Sequence, residues 1–528
     1  MEKIIFSKEQ ENIFEYAQKG VLNMIVQSVA GSGKTTTLVE CVRRLSRDKS
    51  ILMLAHNKST RETLRERIGN LDNVKIYTLH GLGWRMFTEH FGFEPTIIED
   101  KYKNYFFKNI DEFCGKEYSK LNSASKMIYK SNILDIVDKA RQNLKQSEKE
   151  IKKLMTKKYG MLLVSNECEI ASKLLKWGCE DTNTVDYQDL LCFPYEFGYY
   201  TKKYLSDIIM LDEAQDASIA QQDIISRCFK RNTRLFAVGD EDQAINSWCG
   251  SDTKAFEHLK DPDKFRRDAE EFELTTNYRC GKKIIEYAKK YTESDIHATD
   301  NAEDGTIDFM ASLSTIKDGD MILCRNISPL MGVYRDGIAN GKKMYFRGSD
   351  LGKSLINIVE CSNGNTIDEV IFNIKKRLIA TWEILTLNLN QTEKETSKDP
   401  RIVSIMDTIK TLECLPENIK TRDDLVTFAT TMFSDEGREG VELSTIHRAK
   451  GLEAENVYII CPSLIPSKFA TLDWEIEEEE HLQYVMCTRA KKSLNFVSES
   501  EVKPPYALFE NNCIYNELKK IRKAIRTI

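Results

Sequence analysis

Two short segments, far apart in the chain, constrain it more than any other feature. The first, Ser28-Val29-Ala30-Gly31-Ser32-Gly33-Lys34-Thr35-Thr36-Thr37, follows the apolar run Met24-Ile25-Val26. The second, Asp212-Glu213-Ala214-Gln215-Asp216, closes the apolar run Ile208-Ile209-Met210-Leu211. A buried strand that runs into a glycine-rich turn and then a helix, expected over Gly33 to Arg47, turns backbone N–H groups and a helix N-terminus toward phosphate. Lys34 then reaches the terminal phosphates and the Thr35 hydroxyl meets Mg²⁺. The acids of the second segment complete that chemistry, Asp212 holding the metal and Glu213 taking a proton from an attacking water. Ser28 stands where the first glycine of such a loop is expected. The glycine-rich pattern alone also occurs by chance, though its strand and helix context strengthens it, and acids at a strand end alone read as solvated surface; in this order, each after an apolar strand, the two predict a nucleoside triphosphate site.

The spacing of apolar runs extends this to a fold class. Strands are expected at Met24 to Val29, Ile51 to Ala55, Val74 to Thr78, Ile208 to Leu211, Leu235 to Val238 and Phe272 to Leu274, alternating with helical patterns. A second set falls at Met321 to Cys324, Met344 to Phe346, Val441 to Thr445, Val457 to Ile460 and Leu494 to Val497. Strands alternating with helices form parallel sheets covered by helices. The expectation is an α/β protein of two such lobes, each interrupted by a mainly helical insertion.

Composition removes other classes. With 528 residues, 30% charged and 41% hydrophobic, the chain has length for several real cores and is not of the disordered type. No run of 18 apolar residues occurs, and Met1-Glu2-Lys3-Ile4 lacks a signal-peptide core, so the expected location is the cytoplasm, without a membrane. The 14 cysteines form no CxxC pair and read as reduced, mostly buried thiols. A net charge of −6 argues against an overall basic nucleic-acid coat but leaves room for a local basic groove.

Further short blocks occur in a fixed order: Phe6-Ser7-Lys8-Glu9-Gln10, Leu54-Ala55-His56-Asn57-Lys58-Ser59, Thr78-Leu79-His80, Asp186-Tyr187-Gln188-Asp189-Leu190-Leu191, Val238-Gly239-Asp240-Glu241-Asp242-Gln243, Asn277-Tyr278-Arg279, Thr445-Ile446-His447-Arg448-Ala449-Lys450-Gly451-Leu452-Glu453 and Tyr484-Val485-Met486-Cys487-Thr488-Arg489-Ala490. With the two phosphate-site segments, the chain resembles a superfamily 1 DNA helicase of the UvrD/Rep branch from about Phe6 to Val497. The resemblance implies two RecA-like P-loop motor lobes, ATP and Mg²⁺ as cofactors, and translocation on single-stranded DNA, 3′ to 5′, in replication, recombination or repair. It places the first lobe at residues 1–92 and 185–275 with a helical insertion at 93–184. The second lobe falls at 276–350 and 434–510, with a short insertion at 351–433, and a basic amphipathic helix at 511–528 follows.

For the nucleotide it implies Ser28 through Thr36 around the phosphates, Gln10 against the adenine edge, Tyr278 stacked on the base and Glu453 at the ribose. The Gln10 amide, one donor and one acceptor, matches the N6 and N7 edge of adenine. Catalysis would fall to Lys34, Asp212, Glu213 and Gln243, with Arg279 and Arg489 as fingers on the γ-phosphate. For the strand it implies Asn57, Lys58, His80, Trp248, Thr445 and His447, Trp248 as a stacking ring a few residues past Gln243.

Several features depart from the family pattern. Asn246 and Cys249 stand where the third block usually has tyrosine and arginine, His56 where phenylalanine is common, and Glu480-His481 where basic residues precede the last block. The second insertion is short, as in phage-encoded or defence-associated relatives. Between Lys101 and Gly160 basic residues outnumber acidic ones fifteen to seven, which reads either as a nucleic-acid guide or as a solvated lysine face. The acidic run Glu475 to Glu480 reads as a helix's first turn. Expected partners are single-stranded DNA, single/double-strand junctions and a nuclease or recombination protein. The competing reading is an ATP-gated single-strand sensor subunit of a nuclease or defence complex that does not unwind processively, and an RNA helicase is disfavoured.

Overall fold

Ile51-Leu52-Met53-Leu54-Ala55 is buried at every position, as a parallel strand covered on both faces requires. That strand lies in the first of two parallel sheets in the computed structural model of the protein. The structure describes residues 5–119, 123–161, 163, 166–360, 362–389, 391–434, 437–502 and 513–527. Two compact units result: Met1–Leu121 with Lys126–Asn277, and chiefly Tyr278–Ile528. Among the described residues no helix is long and apolar enough to cross a membrane.

The first unit is built on strands β1 (Asn23–Ser28), β2 (Ile51–Ala55), β3 (Val74–Thr78), β4 (Ser206–Asp212), β5 (Phe229–Gly239) and β6 (Ala269–Leu274), in the order β3-β2-β4-β5-β1-β6. All five ladders are parallel. Helix α1 (Lys8–Lys19) precedes β1, and α2 (Lys34–Arg44), α3 (Lys58–Ile68) and α4 (Leu79–Phe91) follow β1, β2 and β3 in turn. The helix after the glycine turn thus ends at Arg44, short of the expected Arg47. Ser7 and Gln10 form a reciprocal cap at the start of α1, satisfying two otherwise orphaned donors. Asn57 caps α3 by accepting from Thr60 N–H at 2.8 Å.

The helical segment after α4 is bracketed by a short parallel ladder, Thr96–Ile97 with Thr184–Val185. It is tied to the sheet domain through a buried ionic cluster. Lys101 Nζ donates to the Asp189 carboxylate and to the Gly178 and Asp181 carbonyls, each at 2.9 Å. Tyr102 OH donates to Asp189 at 2.8 Å, and Arg141 bridges Asp186, Asp189 and Asp138. Lys101, the first of the fifteen basic residues counted from Lys101 to Gly160, is therefore buried, as is Tyr102. Gly83 of α4 lets the helix Asp189–Glu196 approach closely, since a Cβ there would lie 2.2 Å from the Leu190 carbonyl oxygen.

The second unit carries β7 (Thr306–Ala311), β8 (Met321–Cys324), β9 (Met344–Arg347), β10 (Phe433–Ser434), β11 (Val441–Thr445), β12 (Ala454–Ile459) and β13 (Ala490–Val497), ordered β7-β13-β12-β8-β11-β9-β10 and parallel throughout. Edge strands β7 and β10 were not anticipated; β7 is largely exposed and β10 has two residues, so neither carries a long apolar run. The helices between Ser349 and Met432 do not keep a core of their own: Val370, Trp382, Ile402 and Phe428 share one cluster with Ile322, Phe346 and Leu443 of the strands. The acidic run Glu475 to Glu480 lies within the helix Asp473–Cys487. It is more than an exposed first turn, because Glu479 is buried and accepts from Arg325 at 2.6 Å.

Candidate nucleotide and strand site

Strand β1 delivers the chain to a turn that only glycine adopts easily, with Gly31 at φ +64° and Gly33 at φ +83°. Helix α2 starts at Lys34, immediately past Gly33. The Ser28 hydroxyl donates to the Gly239 carbonyl at 2.5 Å, so the serine in the expected glycine position joins the ends of β1 and β5. Val29 and Ala30 are buried, and the Ala30 carbonyl accepts from the buried Asn277 amide at 2.6 Å. Thr36 accepts from Arg67 at 2.8 Å.

Asp212 ends β4 and accepts from the Thr35 hydroxyl at 3.0 Å, which places the two expected metal-side oxygens together. Glu213 follows in the left-handed region, φ +54°, and Gln215 donates to its carboxylate at 2.7 Å. Gln215 also accepts from Asp240 N–H at 3.0 Å, linking the ends of β4 and β5. The buried Asp240 carboxylate sits 3.6 Å from Lys34 Nζ and accepts from the Gln243 amide. Burial pushes Asp212 up to about 6, the Glu213 charge adding to the effect against Thr35 and Lys34. Burial likewise pushes Asp240 up to about 6, with Lys34 opposing.

Four buried polar atoms near this turn have no hydrogen-bond partner in the protein: Gln27 Oε1, Ser32 Oγ, Lys34 Nζ and Asp240 Oδ1. Leaving such groups unpaired costs roughly 1–3 kcal/mol each, so their concentration marks a place built for a polar occupant. The donors Lys34 and Ser32 suit phosphate oxygens. The hard oxygen pair Thr35 and Asp212 suits Mg²⁺. Sequence reasoning missed Asp240, Gln215 and Asn277 as parts of this site, although all three lie in or beside the quoted blocks.

Gln10, expected against adenine, is buried and engaged locally: its carbonyl accepts from Ser7 N–H at 3.0 Å and its amide donates to the Thr37 hydroxyl at 3.0 Å. Trp248 lies on the turn Ser247–Cys249 and is 55% exposed. Asn246 just before it donates to Asp216 at 3.1 Å, and Cys249 is exposed. Asn57 and Lys58 are exposed at the start of α3. His80, near the start of α4, meets the Tyr187 ring edge-on at 6.0 Å. Burial, with help from His56, holds its imidazole below the usual value.

In the second unit Tyr278 is 50% exposed. Arg279 pairs with Glu453 at 2.6 Å and donates to the Thr488 carbonyl. Glu453 also pairs with Lys491 at 2.7 Å, which holds its carboxyl below its usual range despite burial. Arg489 is buried and donates to the carbonyls of Val485 and Leu452 and to the Thr488 hydroxyl. Thr445 ends β11, and His447 two residues on is held well below its usual value by burial and by Arg325.

A family model described as the UvrD/REP helicase N-terminal domain matches residues 6–264, and one described as the UvrD-like helicase C-terminal domain matches residues 360–501. The chain is 27% identical over 313 residues to the probable DNA helicase II homolog of Mycoplasma pneumoniae, covering 54% of this chain and 42% of that protein. It is 23% identical over 536 residues to the F-box DNA helicase protein 1 of Schizosaccharomyces pombe, covering 92% and 57%. It is also 23% identical over 546 residues to the Gabija protein GajB of Bacillus cereus, covering 96% and 98%. The chain thus spans 42% and 57% of the first two proteins but nearly all of the third.

Proposed function

Because the chain belongs to the family of UvrD-like helicases, we propose that it is an ATP-dependent motor that moves along single-stranded DNA, 3′ to 5′, and opens duplex at a junction. The observation that carries this reading is the group of unsatisfied buried atoms around Lys34, beside the Thr35–Asp212 pair. Lys34 and Ser32 would hold the β- and γ-phosphates, with the backbone of Val29 to Gly33 around them. Thr35 and Asp212 would hold Mg²⁺, which when bound neutralises charge on the transferring phosphoryl group. Glu213, oriented by Gln215, would accept the proton of the attacking water. Arg279 and Arg489 are the proposed fingers, and Gln10, Tyr278 and Glu453 the contacts to adenosine.

Asp240 and Gln243 suggest how phosphate state reaches the strand. Lys34 and Gln243 approach the same Asp240 oxygen, so a phosphate that draws Lys34 away would change the charge balance on Asp240 and with it the hold on Gln243, five residues before Trp248. Trp248, His80, Asn57, Lys58, Thr445 and His447 are the proposed strand contacts. The cytoplasm of a bacterial or phage-infected cell is the proposed setting, with action in replication, recombination or repair.

A second reading, an ATP-gated single-strand sensor serving a nuclease or recombination partner, is favoured by one feature. Asn246 is turned to Asp216 rather than offering a ring or a cation, and Cys249 supplies neither; the end-to-end match to GajB accords with a compact chain of this kind. A translocation assay on end-labelled single strands, with and without duplex ahead, separates the two. Directional movement with strand separation is expected, and single-strand-stimulated ATP turnover without movement would replace the motor by the sensor. Glu213→Gln should abolish turnover while keeping ATP binding, and wild-type turnover in that variant would refute the assignment of the base.

A further inference from the structure

The helix Cys513–Thr527 turns its apolar side inward, with Ile514, Leu518 and Ile521 buried in the core that contains Trp382. Arg522 pairs with Glu393 at 2.6 Å and lies 4.7 Å from the Trp382 ring, and Glu517 meets Lys410 at 3.2 Å. The element is therefore fixed, not trailing. With 3.6 residues per turn, Lys519, Lys523 and Arg526 fall on the side opposite the buried isoleucines, flanked by Asn516 and Lys520. All five are exposed. Two of their local pairs are loose, Lys520 lying 3.6 Å from Glu517 and Arg526 3.5 Å from Glu383, and surface pairs of this kind hold a charge weakly.

We propose that this stripe binds the phosphate backbone of duplex DNA. Three cations at i, i+4 and i+7 span about 10 Å of helix, and phosphates of one strand recur about every 3.4 Å along a duplex. A rigid row of cations thus meets a backbone whose phosphates are held in fixed, regular positions. A single strand carries its phosphates on a flexible chain with no fixed row, and its binding sites add exposed rings on which the bases stack. The stripe offers none, Tyr515 being covered by Lys519 at 4.7 Å. A lipid surface would need the apolar side of the helix, which is already buried. Favourable interaction with the helix dipole acts within the last turn, so it accounts for Arg526 but not for Lys519 and Lys520. The surface shares no residue with the proposed ATP or single-strand contacts, so the two assignments fail separately.

The test uses the full chain with the triple substitution K519Q/K523Q/R526Q, titrated with a blunt duplex and with one of its strands across a range of salt. For the duplex, the plot of log affinity against log salt should become shallower by about 2.7, about 0.9 per lost phosphate contact. The affinity lost between about 50 and 200 mM salt then shrinks about 40-fold. Single-strand affinity and single-strand-stimulated ATP turnover should not change, and K519R/K523R/R526K should keep the wild-type slope. An equal loss on the single strand would move the stripe to the single-strand path, and an unchanged duplex slope would leave it a solvated face or a protein contact; either overturns the proposal. Should the triple variant melt early, K519Q and K523Q alone should each lower the slope by about 0.9, and failure of both singles to do so overturns it equally.

Discussion

Replacing Lys34 by methionine keeps the length of the side chain and removes the ammonium that has no hydrogen-bond partner in the protein. A hydrogen bond to a charged group contributes roughly 1.5–3 kcal/mol. Lys34 meets phosphate charge to charge in a covered position and belongs at the upper end, so ATP affinity should fall about 140-fold at 1.4 kcal/mol per tenfold. Ser32, an uncharged donor in the same turn, belongs at the lower end, and Ser32→Ala should cost about 12-fold. The assay is thermal melting of each variant with and without ATP. At 100 times the wild-type Kd, ATP adds about 2.7 kcal/mol to wild type; the same concentration should add only about 0.3 kcal/mol to Lys34→Met. Each variant is compared with itself, so any effect on Asp240 left beside a methionine cancels. An ATP-induced shift in Lys34→Met equal to that of wild type would refute the reasoning that these unsatisfied atoms await phosphate.

Trp248→Ala should weaken single-strand binding by about 1–3 kcal/mol while basal ATP turnover persists, measured by anisotropy and phosphate release; unchanged affinity would return Trp248 to a packing role. Lys101→Met breaks a buried pair whose side chains are 1% and 0% exposed and should cost about 3–5 kcal/mol in urea unfolding. A loss under about 1 kcal/mol would mean that the ionic cluster does not secure the helical insertion. Burial pushes Glu196 up to about 7, so the folded state holds the proton more tightly than the unfolded chain, and the stability this contributes is lost as pH rises through 7. Glu196→Gln should therefore raise the melting temperature at pH 8 and not at pH 4, and an equal gain at both would exclude this titration as the cause.

The sheet strands were legible because a parallel strand covered on both faces must be apolar along its length, and Met321–Cys324 and Val441–Thr445 have the bounds expected from their runs. The meeting of Thr35 with Asp212 was legible for a related reason: each residue stands where a buried strand or turn ends. Edge strand β7 was not, since its exposed residues repeat no pattern that burial imposes.

Tertiary structure decided what sequence spacing could not carry. Asp189 reads as one acid in a short block, yet it anchors Lys101, Tyr102 and Arg141 from a distant segment. Asp240 reads as one acid of three, yet burial sets its carboxylate beside both Lys34 and Gln243. The insertion of the second unit reads as a separate helical stretch, yet it shares the core of its sheet. A local pattern records which face of an element is dry, because that is a property of one strand or one helix. Which charges meet in the dry interior depends on loops closing between elements far apart in the chain, and no local pattern records that.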